Sequence, residues 1–180
     1  MRKVVLYHLM SLDGIAHQHQ EGDWLADDGP QLIPYLGRII ETQDDVLLGR
    51  GTYDDWAGYW PKSDFEPFAS FINGTRKHVV TSSALTQDWA NSTPVTTSVT
   101  DYVAELKQGP GRDIGVHGSI SLARTLLRAR LVDELRLVVA PAVVGRGSRV
   151  FDGDMLQQWR LDDLERGKNG TLLLNYGRAT

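Results

Sequence analysis

The sequence predicts an α/β fold, a three-layer sandwich in which helices flank a mixed, mainly parallel sheet with antiparallel C-terminal strands. In the first two thirds of the chain, short β-branched apolar runs alternate with segments of helical periodicity, which is typical of parallel sheets. The last third is rich in strands, which indicates an antiparallel edge. A length of 180 residues fits one domain with a sizeable core, so we expect a single domain over residues 1–180.

The composition excludes several classes of protein and of site. The formal net charge is −4, so there is no basic surface for nucleic acid or an anionic membrane. The absence of cysteine excludes disulfides, thiolate catalysis and cysteine-ligated metals. No run approaches the ~20 apolar residues of a membrane span, and the apolar start is too short for a signal sequence. We therefore expect a cytoplasmic protein.

The N-terminal part is expected to contain one strand, a turn, a long loop and a helix. Val4–Met10 is apolar on both faces, as in a buried strand, and Asp13-Gly14 marks the turn after it. The polar loop from His17 to Gly29 is long enough to be functional or mobile. A helix is then expected to start at Pro30, and its apolar stripe comprises Leu32, Ile33, Leu36, Ile39 and Ile40.

Three further strands follow, joined by helical segments. The strands are expected at Asp45–Gly49, Lys77–Thr81 and Val95–Ser98. The aromatic segment from Tyr53 to Phe71 contains Gly58, Pro61 and Pro67, which favours short helical pieces over one long helix. A short helix is expected at Asp101–Lys107.

The segment from Asp113 to Leu127 predicts a strand, a tight turn and a helix. The apolar run breaks at Gly118-Ser119, and a helical stripe then begins at Ile120 in a helix expected to end at Arg130. Ser119 or Ser121 could cap this helix. Backbone N–H groups at such a helix start suit phosphate. The alternative is a plain connection in which Gly118 only provides a positive φ.

The C-terminal third predicts strands joined by turns. Glu134–Val144 is expected to be a long strand that bends or bulges at Pro141. Gly145-Arg-Gly147 is a turn. Leu161–Arg166 and Thr171–Tyr176 form a terminal hairpin around residues 168–170.

Three strand ends carry residue types that suit a nucleotide diphosphate. In an open α/β sheet, ligands bind beyond the carboxyl ends of the parallel strands. Both the G-x-G-x-x-G fingerprint before a helix and a Walker loop are absent. The three sets are Arg50 with Thr52, then Thr81, Ser82 and Ser83, and finally Gly118, Ser119 and Ile120.

Five motifs occur in an order that resembles a known family. They are Ser11-Leu-Asp-Gly-Ile-Ala16, Leu47-Leu-Gly-Arg-x-Thr-Tyr53, Val80-Thr-Ser-Ser83, Val116-x-Gly-Ser-x-x-Leu122, and Leu131-Val-Asp-Glu-Leu135 with Pro141-x-Val-Val-Gly145. The set resembles the dihydrofolate reductase-like superfamily over about residues 2 to 177. Within it, the chain is similar to the C-terminal reductase domain of the bacterial bifunctional riboflavin biosynthesis deaminase/reductase.

The resemblance implies an NADPH-dependent oxidoreductase that transfers hydride to a small, possibly heterocyclic acceptor. The analogous activity is that of 5-amino-6-(5-phosphoribosylamino)uracil reductase in riboflavin biosynthesis. The implied NADPH-binding residues are Ser11, Gly14, Ile15, Gly49, Arg50, Gly51, Thr52, Thr81, Ser82, Ser83, His117, Gly118, Ser119, Ile120 and Ser121. The candidate catalytic residues are Asp13 and Asp27. The alternative function is an NADP(H)-binding regulatory or interaction module without turnover.

Two positions depart from the family's pattern. The first glycine of its usual Gly-Gly pair is His117, which puts close backbone approach at that point in question. The carboxylate with which dihydrofolate reductases hold the pterin has no clean counterpart, because its place falls near Ile33. Asp27 and Asp28 could substitute for it only if their loop folds inward. We therefore do not expect folate reduction.

For several of these residues a purely structural role remains an alternative to a functional one. Asp13 can be the corner of a tight Asp-Gly turn, and Thr81–Ser83 a turn cluster. The histidines suggest metal, but their spacing matches no ligand set, so no metal is expected. Asp27 and Asp28 can be surface or N-cap residues, and Arg146 and Arg149 can be solvated charges or bind a substrate phosphate. Aromatic residues can belong to a lid or the core, or stack on a flat substrate ring; these are Trp24, Tyr53, Trp56, Tyr59 and Trp60. The histidines in question are His17, His19 and His117.

The expected partners are a small-molecule substrate and a second copy of the chain. The apolar segments Leu135–Val144 and Leu172–Leu174 could pair subunits edge to edge or face to face. We expect a homodimer on this basis.

Overall fold

The computed structural model describes residues 1–17, 31–153 and 156–179. Its elements in chain order are β1 (Val4–Ser11), β2 (Ile15–His17), α1 (Leu32–Glu41), β3 (Gln43–Gly49), α2 (Arg50–Tyr59), a 3-10 turn (Trp60–Lys62), α3 (Phe68–Gly74), β4 (Arg76–Val80), β5 (Ser92–Val95), α4 (Val99–Gln108), β6 (Asp113–Val116), α5 (Ile120–Arg128), β7 (Glu134–Ala140), β8 (Ser148–Arg149), β9 (Trp159–Arg166) and β10 (Leu172–Arg178).

Eight of these strands form one mixed sheet in the order β5-β4-β3-β6-β1-β7-β10-β9. The six strands from β5 to β7 are parallel, and β10 and β9 continue the sheet in antiparallel pairing. The predicted fold class is therefore confirmed. β2 and β8 form a small separate antiparallel pair.

The sheet separates two hydrophobic cores. On one face, Leu36, Tyr53 and Phe68 belong to a cluster that packs α1, α2 and α3 against β3 and β4. On the other face, Val103 and Leu126 belong to a cluster that packs α4 and α5 against β1, β6 and β7. Burial on both faces explains why the central strands are apolar runs rather than alternating ones.

A charged cluster anchors the start of β3. The side chain of Asp45 is fully buried, and it accepts hydrogen bonds from Arg2 Nη2 at 2.5 Å and from Arg76 Nη2 at 2.8 Å. His78 Nε2 lies 2.9 Å from the same carboxylate, and its Nδ1 lies 2.7 Å from the Tyr102 hydroxyl. The cluster therefore ties β3, β4, α4 and the N-terminus together at the sheet end where β3 begins.

Several predicted boundaries are wrong by a few residues. Ile33 is 44 % exposed, and Tyr35 takes its place in the buried stripe of α1. β5 spans Ser92–Val95 rather than Val95–Ser98, because Ser98 caps α4 by accepting from Asp101 N. β7 ends at Ala140 because Pro141 has no N–H for the ladder. α5 ends at Arg128, and Arg130 has a φ of +56°, outside the helical range.

No helix within residues 1–17, 31–153 and 156–179 is long and apolar enough to cross a membrane.

The hairpin β9–β10 carries apolar side chains that are only partly buried. Leu164 pairs with Leu174 and Leu161 with Tyr176, on either side of a register shift, so all four side chains lie on one face of the sheet. Leu161 and Leu164 are each about half exposed, at 48 % and 51 %. An exposed apolar face of this kind is typical of a subunit interface.

We predict that the chain forms a homodimer through this β9–β10 face. A lysine at Leu161 or Leu164 would place a charge in the interface, so Leu161→Lys and Leu164→Lys should shift the mass measured by light scattering from dimer toward monomer.

Leu156→Lys is the matched control, because Leu156 is 90 % exposed and lies outside both strands. It should leave the dimer intact. A monomeric wild-type protein at micromolar concentration would contradict the prediction.

Candidate functional site

The strand order places a crevice beyond the carboxyl ends of β3 and β6. These strands are parallel neighbours, but the chain leaves β3 through α2 toward β4 and leaves β6 through α5 toward β7, on the other side of β1. Neighbouring parallel strands whose connections diverge leave a gap between their loops, which is where open α/β sheets bind ligands.

The two strand ends touch through their backbones. Gly49 N donates to Gly118 O at 3.0 Å. A Cβ on Gly49 would lie 2.3 Å from Ser119 Oγ and 2.9 Å from Ser119 Cβ, so no larger residue fits without a shift. Gly118 has a φ of +136°, and a Cβ there would lie 3.0 Å from Thr52 Oγ1. His117 replaces the first glycine of the family's pair, but the close backbone approach is still made, by the next two residues, Gly118 and Ser119.

This contact brings two helix N-termini to the crevice. α2 starts directly after Gly49, and no side chain of the described residues caps it. In α5, Ser119 is the N-cap, and its Oγ accepts from Leu122 N at 3.4 Å and lies 2.8 Å from Ser121 Oγ. N–H groups in the first turn of a helix have no partner within the helix, so both starts offer donors to an anion.

A cavity of about 790 Å³ opens on one side of the contact. We call it the hydroxyl cavity, because eight of its residues carry hydroxyl groups: Thr81, Ser82, Ser83, Thr96, Thr97, Ser119, Ser121 and Thr125. Gly49, Arg50 and Gly51 also line it. It therefore contains residues from each of the three predicted strand ends, namely Arg50, Thr81–Ser83 and Ser119.

Arg50 is the one cation among the described residues lining the hydroxyl cavity. Its Nε donates to Asp54 at 2.7 Å, one helical turn further along α2. Its Nη1 donates to Ser83 Oγ at 2.9 Å and to Ala84 O at 2.8 Å. The guanidinium thus connects α2 to the loop after β4 and holds that loop against the cavity.

A second cavity, of about 530 Å³, lies on the other side of the contact. We call it the histidine cavity, after His8 on β1 and His117 after β6. It is also lined by Ala16, Thr52, Asp55, Trp56, Gly118, Ser119, Ile120, Ser121 and Ser148. Ser119 and Ser121 belong to both cavities, so the two meet at the start of α5.

The two histidines of this cavity are neutral at pH 7. Burial lowers the pKa of His117 to about 3, with a smaller contribution from His8, and burial lowers the pKa of His8 to about 4. His117 Nε2 lies 2.8 Å from Gln43 Oε1. His117 Nδ1 and His8 Nε2 are buried and have no hydrogen-bond partner among the described residues.

The loop after β1 is held by its own polar groups. Asp13 accepts from Val144 N at 3.0 Å, from Gly145 N at 2.8 Å and from the Ser11 hydroxyl at 2.7 Å. These hydrogen bonds lower the pKa of Asp13 to about 2, the one from Val144 N most of all. The carboxylate thus joins this loop to the segment after β7, and it carries no proton to donate at pH 7.

The structure brings together three of the four predicted groups of site residues. Gly49–Thr52, Thr81–Ser83 and His117–Ser121 all line the two cavities. Ser11, Asp13, Gly14 and Ile15 do not line them, and only the following residue, Ala16, reaches the histidine cavity. Ser11 and Ile15 are fully buried, with Ile15 N donating to Ser11 Oγ at 3.0 Å.

Sequence reasoning missed several lining residues. His8 carried a signal, because it is the one residue in the strand run Val4–Met10 whose ordinary pKa lies near neutral pH. Thr96 and Thr97 carried the same signal as Thr81–Ser83, a hydroxyl cluster after a strand, but the predicted strand Val95–Ser98 includes them. Asp55 and Ser148 carried none.

Some predicted residues lie outside the described part of the chain. Asp27, Asp28, His19 and Trp24 fall within residues 18–30. Among the described residues, no group of three or more His, Asp or Glu side chains is placed to hold a metal ion.

Comparison with known sequences identifies relatives along most of the chain. The model of the RibD C-terminal domain matches residues 2–173. The chain is 31 % identical over 155 residues to the uncharacterized protein YyaP of Bacillus subtilis, covering 83 % of this chain and 80 % of that one. It is 28 % identical over 151 residues to YwjB of the same organism, covering 83 % of each.

Solved structures share the fold at low identity. A putative riboflavin biosynthesis protein from Shewanella sp. PV-4 superposes with a TM-score of 0.80 at 18 % identity over 99 % of both chains. Dihydrofolate reductase from Enterococcus faecalis, complexed with NADP(H), gives 0.68 at 14 % identity over 99 % of this chain and 97 % of that one. A deaminase/5-amino-6-(5-phosphoribosylamino)uracil reductase from Thermotoga maritima gives 0.71 at 15 %, over 99 % of this chain and 57 % of that longer one.

We predict that Gly49→Ala destabilises the protein by about 1–3 kcal/mol, because the new methyl group overlaps the Ser119 side chain. Urea unfolding measures this difference.

Gly51→Ala is the matched control. It is two residues away in the same helix start, and a Cβ there meets nothing within 4 Å. It should be neutral, or stabilising by up to about 1 kcal/mol, because alanine favours helix. Equal stability of the two variants would show that the backbone contact does not constrain residue 49.

Proposed function

The chain belongs to the RibD C-terminal domain family, and from this membership and the divided crevice we propose that it is an NADPH-dependent reductase of a small, possibly heterocyclic acceptor. Its family and fold are those of reductase-type oxidoreductases. The observation that carries the proposal is the meeting of two unlike cavities at the N-terminus of α5.

The residues present fit an extended dinucleotide. The free N–H groups at the start of α5, with Ser119 and Ser121, suit the pyrophosphate, since they lie where the two cavities join. Arg50 and Thr81–Ser83 suit the adenosine end and its 2′-phosphate. The histidine cavity is left for the nicotinamide and the acceptor. We infer that Ser11, Asp13, Gly14 and Ile15 position its lining residue Ala16 through the hydrogen bonds within their loop.

When bound, NADPH supplies a hydride from nicotinamide C4 to the carbon of an acceptor C=N or C=O bond. The acceptor heteroatom then takes a proton. Asp13 is ionised and both cavity histidines are neutral at pH 7, so none of these three acts as the acid. We therefore assign the proton to water or to the acceptor itself, and we assign binding and orientation to the protein.

An NADP(H)-binding module without turnover is the second candidate. The protonation states of three candidate acids favour it. At pH 7 Asp13 is ionised and His8 and His117 are neutral, so none of the three can protonate an acceptor.

Two measurements distinguish the reductase from the binding module without turnover. Titration with NADPH, followed by nicotinamide fluorescence, reports binding. Loss of absorbance at ~340 nm with a panel of C=N and C=O acceptors reports turnover. Binding with oxidation supports the reductase, binding without oxidation across the panel supports the module, and no binding rejects both.

We predict that Arg50→Ala weakens NADPH about 10- to 100-fold and weakens NADH less. Charged hydrogen bonds contribute roughly 1.5–3 kcal/mol, and the extra phosphate is the group that distinguishes the two nucleotides. The dissociation constants follow from the fluorescence titration.

Arg38→Ala is the matched control, because Arg38 lies on α1 and pairs with Glu165, outside both cavities. It should change neither constant. Equal losses for NADPH and NADH in Arg50→Ala would mean that Arg50 only holds the loop of residues 81–86.

A further inference from the structure

The described lining of the histidine cavity carries no positively charged side chain. Among its described lining residues there is no lysine or arginine, and Asp55 is the one charged group. Asp55 is exposed and has no ion-pair partner among the described residues. Residues 18–30 and 154–155 contain no lysine or arginine in the sequence, so they add no such cation.

The two arginines nearest in sequence to the lining residue Ser148 are also not part of this wall. Arg149 donates from Nε to Asp13 O at 3.1 Å, so it is engaged with the loop after β1. Arg146 is exposed and is not a lining residue. A phosphate in the histidine cavity would thus lack a cationic partner among the described residues and would face the Asp55 carboxylate.

His117 presents a hydrogen-bond acceptor. Its Nε2 lies 2.8 Å from Gln43 Oε1. With the Gln43 amide in this orientation, the oxygen accepts and Nε2 is the nitrogen that carries the proton. A neutral imidazole has one N–H, so Nδ1 has a free lone pair, and this buried atom has no partner among the described residues. The complement of such an atom is an N–H or O–H donor, because a buried acceptor without a partner is costly.

Trp56 adds a flat aromatic surface. Its ring is fixed by near-perpendicular contacts with Trp60 at 5.6 Å and with Phe68 at 5.7 Å between centroids. A fixed indole in a cavity wall suits a planar ring.

We propose that the acceptor bound in the histidine cavity is an uncharged planar heterocycle that carries no phosphate and donates an N–H to His117 Nδ1. This inference rests on the proposed function for the position of the cofactor, and it names the substrate class of the same site. It departs from the phosphoribosyl substrate in the name of the Thermotoga maritima relative. The cofactor phosphates proposed at Ser119 add negative charge next to the cavity and act against a second phosphate in the same way.

The first test compares ligands on the wild-type protein. Quinazoline-2,4-dione is neutral, planar and has ring N–H groups, and its 1,3-dimethyl derivative has the same rings without them. A second pair is 6-(hydroxymethyl)quinazoline-2,4-dione and its phosphate monoester. Each is titrated by calorimetry into protein saturated with NADP⁺, so that the nucleotide subsites are filled.

The dione should bind at least tenfold more tightly than its dimethyl derivative, and the alcohol at least tenfold more tightly than its phosphate ester. Equal or tighter binding of the ester would overturn the exclusion of phosphate. If Arg146→Ala then removed the advantage of the ester, the turn cation would be its source.

The second test assigns the N–H contact to His117. His117→Phe keeps an aromatic ring and removes both nitrogens, so it should weaken the dione about tenfold and leave the dimethyl derivative unchanged. A purely structural role would weaken both ligands equally, which would overturn the assignment. Should the variant fail to fold, the wild-type comparison of the dione with its dimethyl derivative still decides whether the N–H group matters.

The same titrations keep this inference separate from the proposed function. NADP⁺ is titrated first, and absence of its binding rejects the nucleotide proposal. The ligand series is then run on the unliganded protein, where the order dione over dimethyl derivative and alcohol over ester still tests the cavity. NADP⁺ binding with the reverse order would reject the acceptor class and leave the reductase proposal standing.

Discussion

The backbone contact between Gly49 and Gly118 is the constraint on which the site depends. Two parallel strands end there, and two helices start within two residues of the contact. The N–H to O distance of 3.0 Å fixes how far apart those helix starts can be, and the missing Cβ of Gly49 makes room for Ser119. Ser119 in turn caps α5 and lines both cavities, so one small contact sets the helix start, the junction and the shape of the crevice.

The other end of β3 is fixed by charge rather than by close packing. Asp45 is fully buried, and removing one of its cationic partners would leave an uncompensated charge, which is far more costly than losing a surface ion pair. Because β3 is held by Asp45 at its start and by Gly49 at its end, its register against β4 and β6 is set at both ends of the strand. His78 contacts Asp45 and belongs to this charged cluster, whereas His8 and His117 line the histidine cavity.

The fold and the hydroxyl cavity were predictable from sequence because both depend on local signals. Apolar runs, glycine turns and hydroxyl clusters mark the strand ends, and parallel pairing then brings those ends together. The histidine cavity was predictable only in part, through Thr52 and the segment His117–Ser121. The rest of its wall depends on which side chains meet across β1, β6 and α2. A histidine in an apolar strand is equally consistent with a core position, and its unpartnered nitrogen is visible only in three dimensions. Likewise, nothing local shows that Asp13 is held by the amides of Val144 and Gly145, over 130 residues later in the chain.

The two cavities differ in electrostatics in a way that suits hydride transfer under the proposed function. The hydroxyl cavity has a cation and many donors, which favours the highly charged end of a dinucleotide. In the histidine cavity, burial keeps both imidazoles neutral, and Asp55 contributes negative charge. Loss of a hydride leaves the nicotinamide ring positively charged, so a cavity without described cations and with one carboxylate favours the charge that develops there. Protonated histidines would oppose it, which gives their burial a role in the chemistry as well as in the packing.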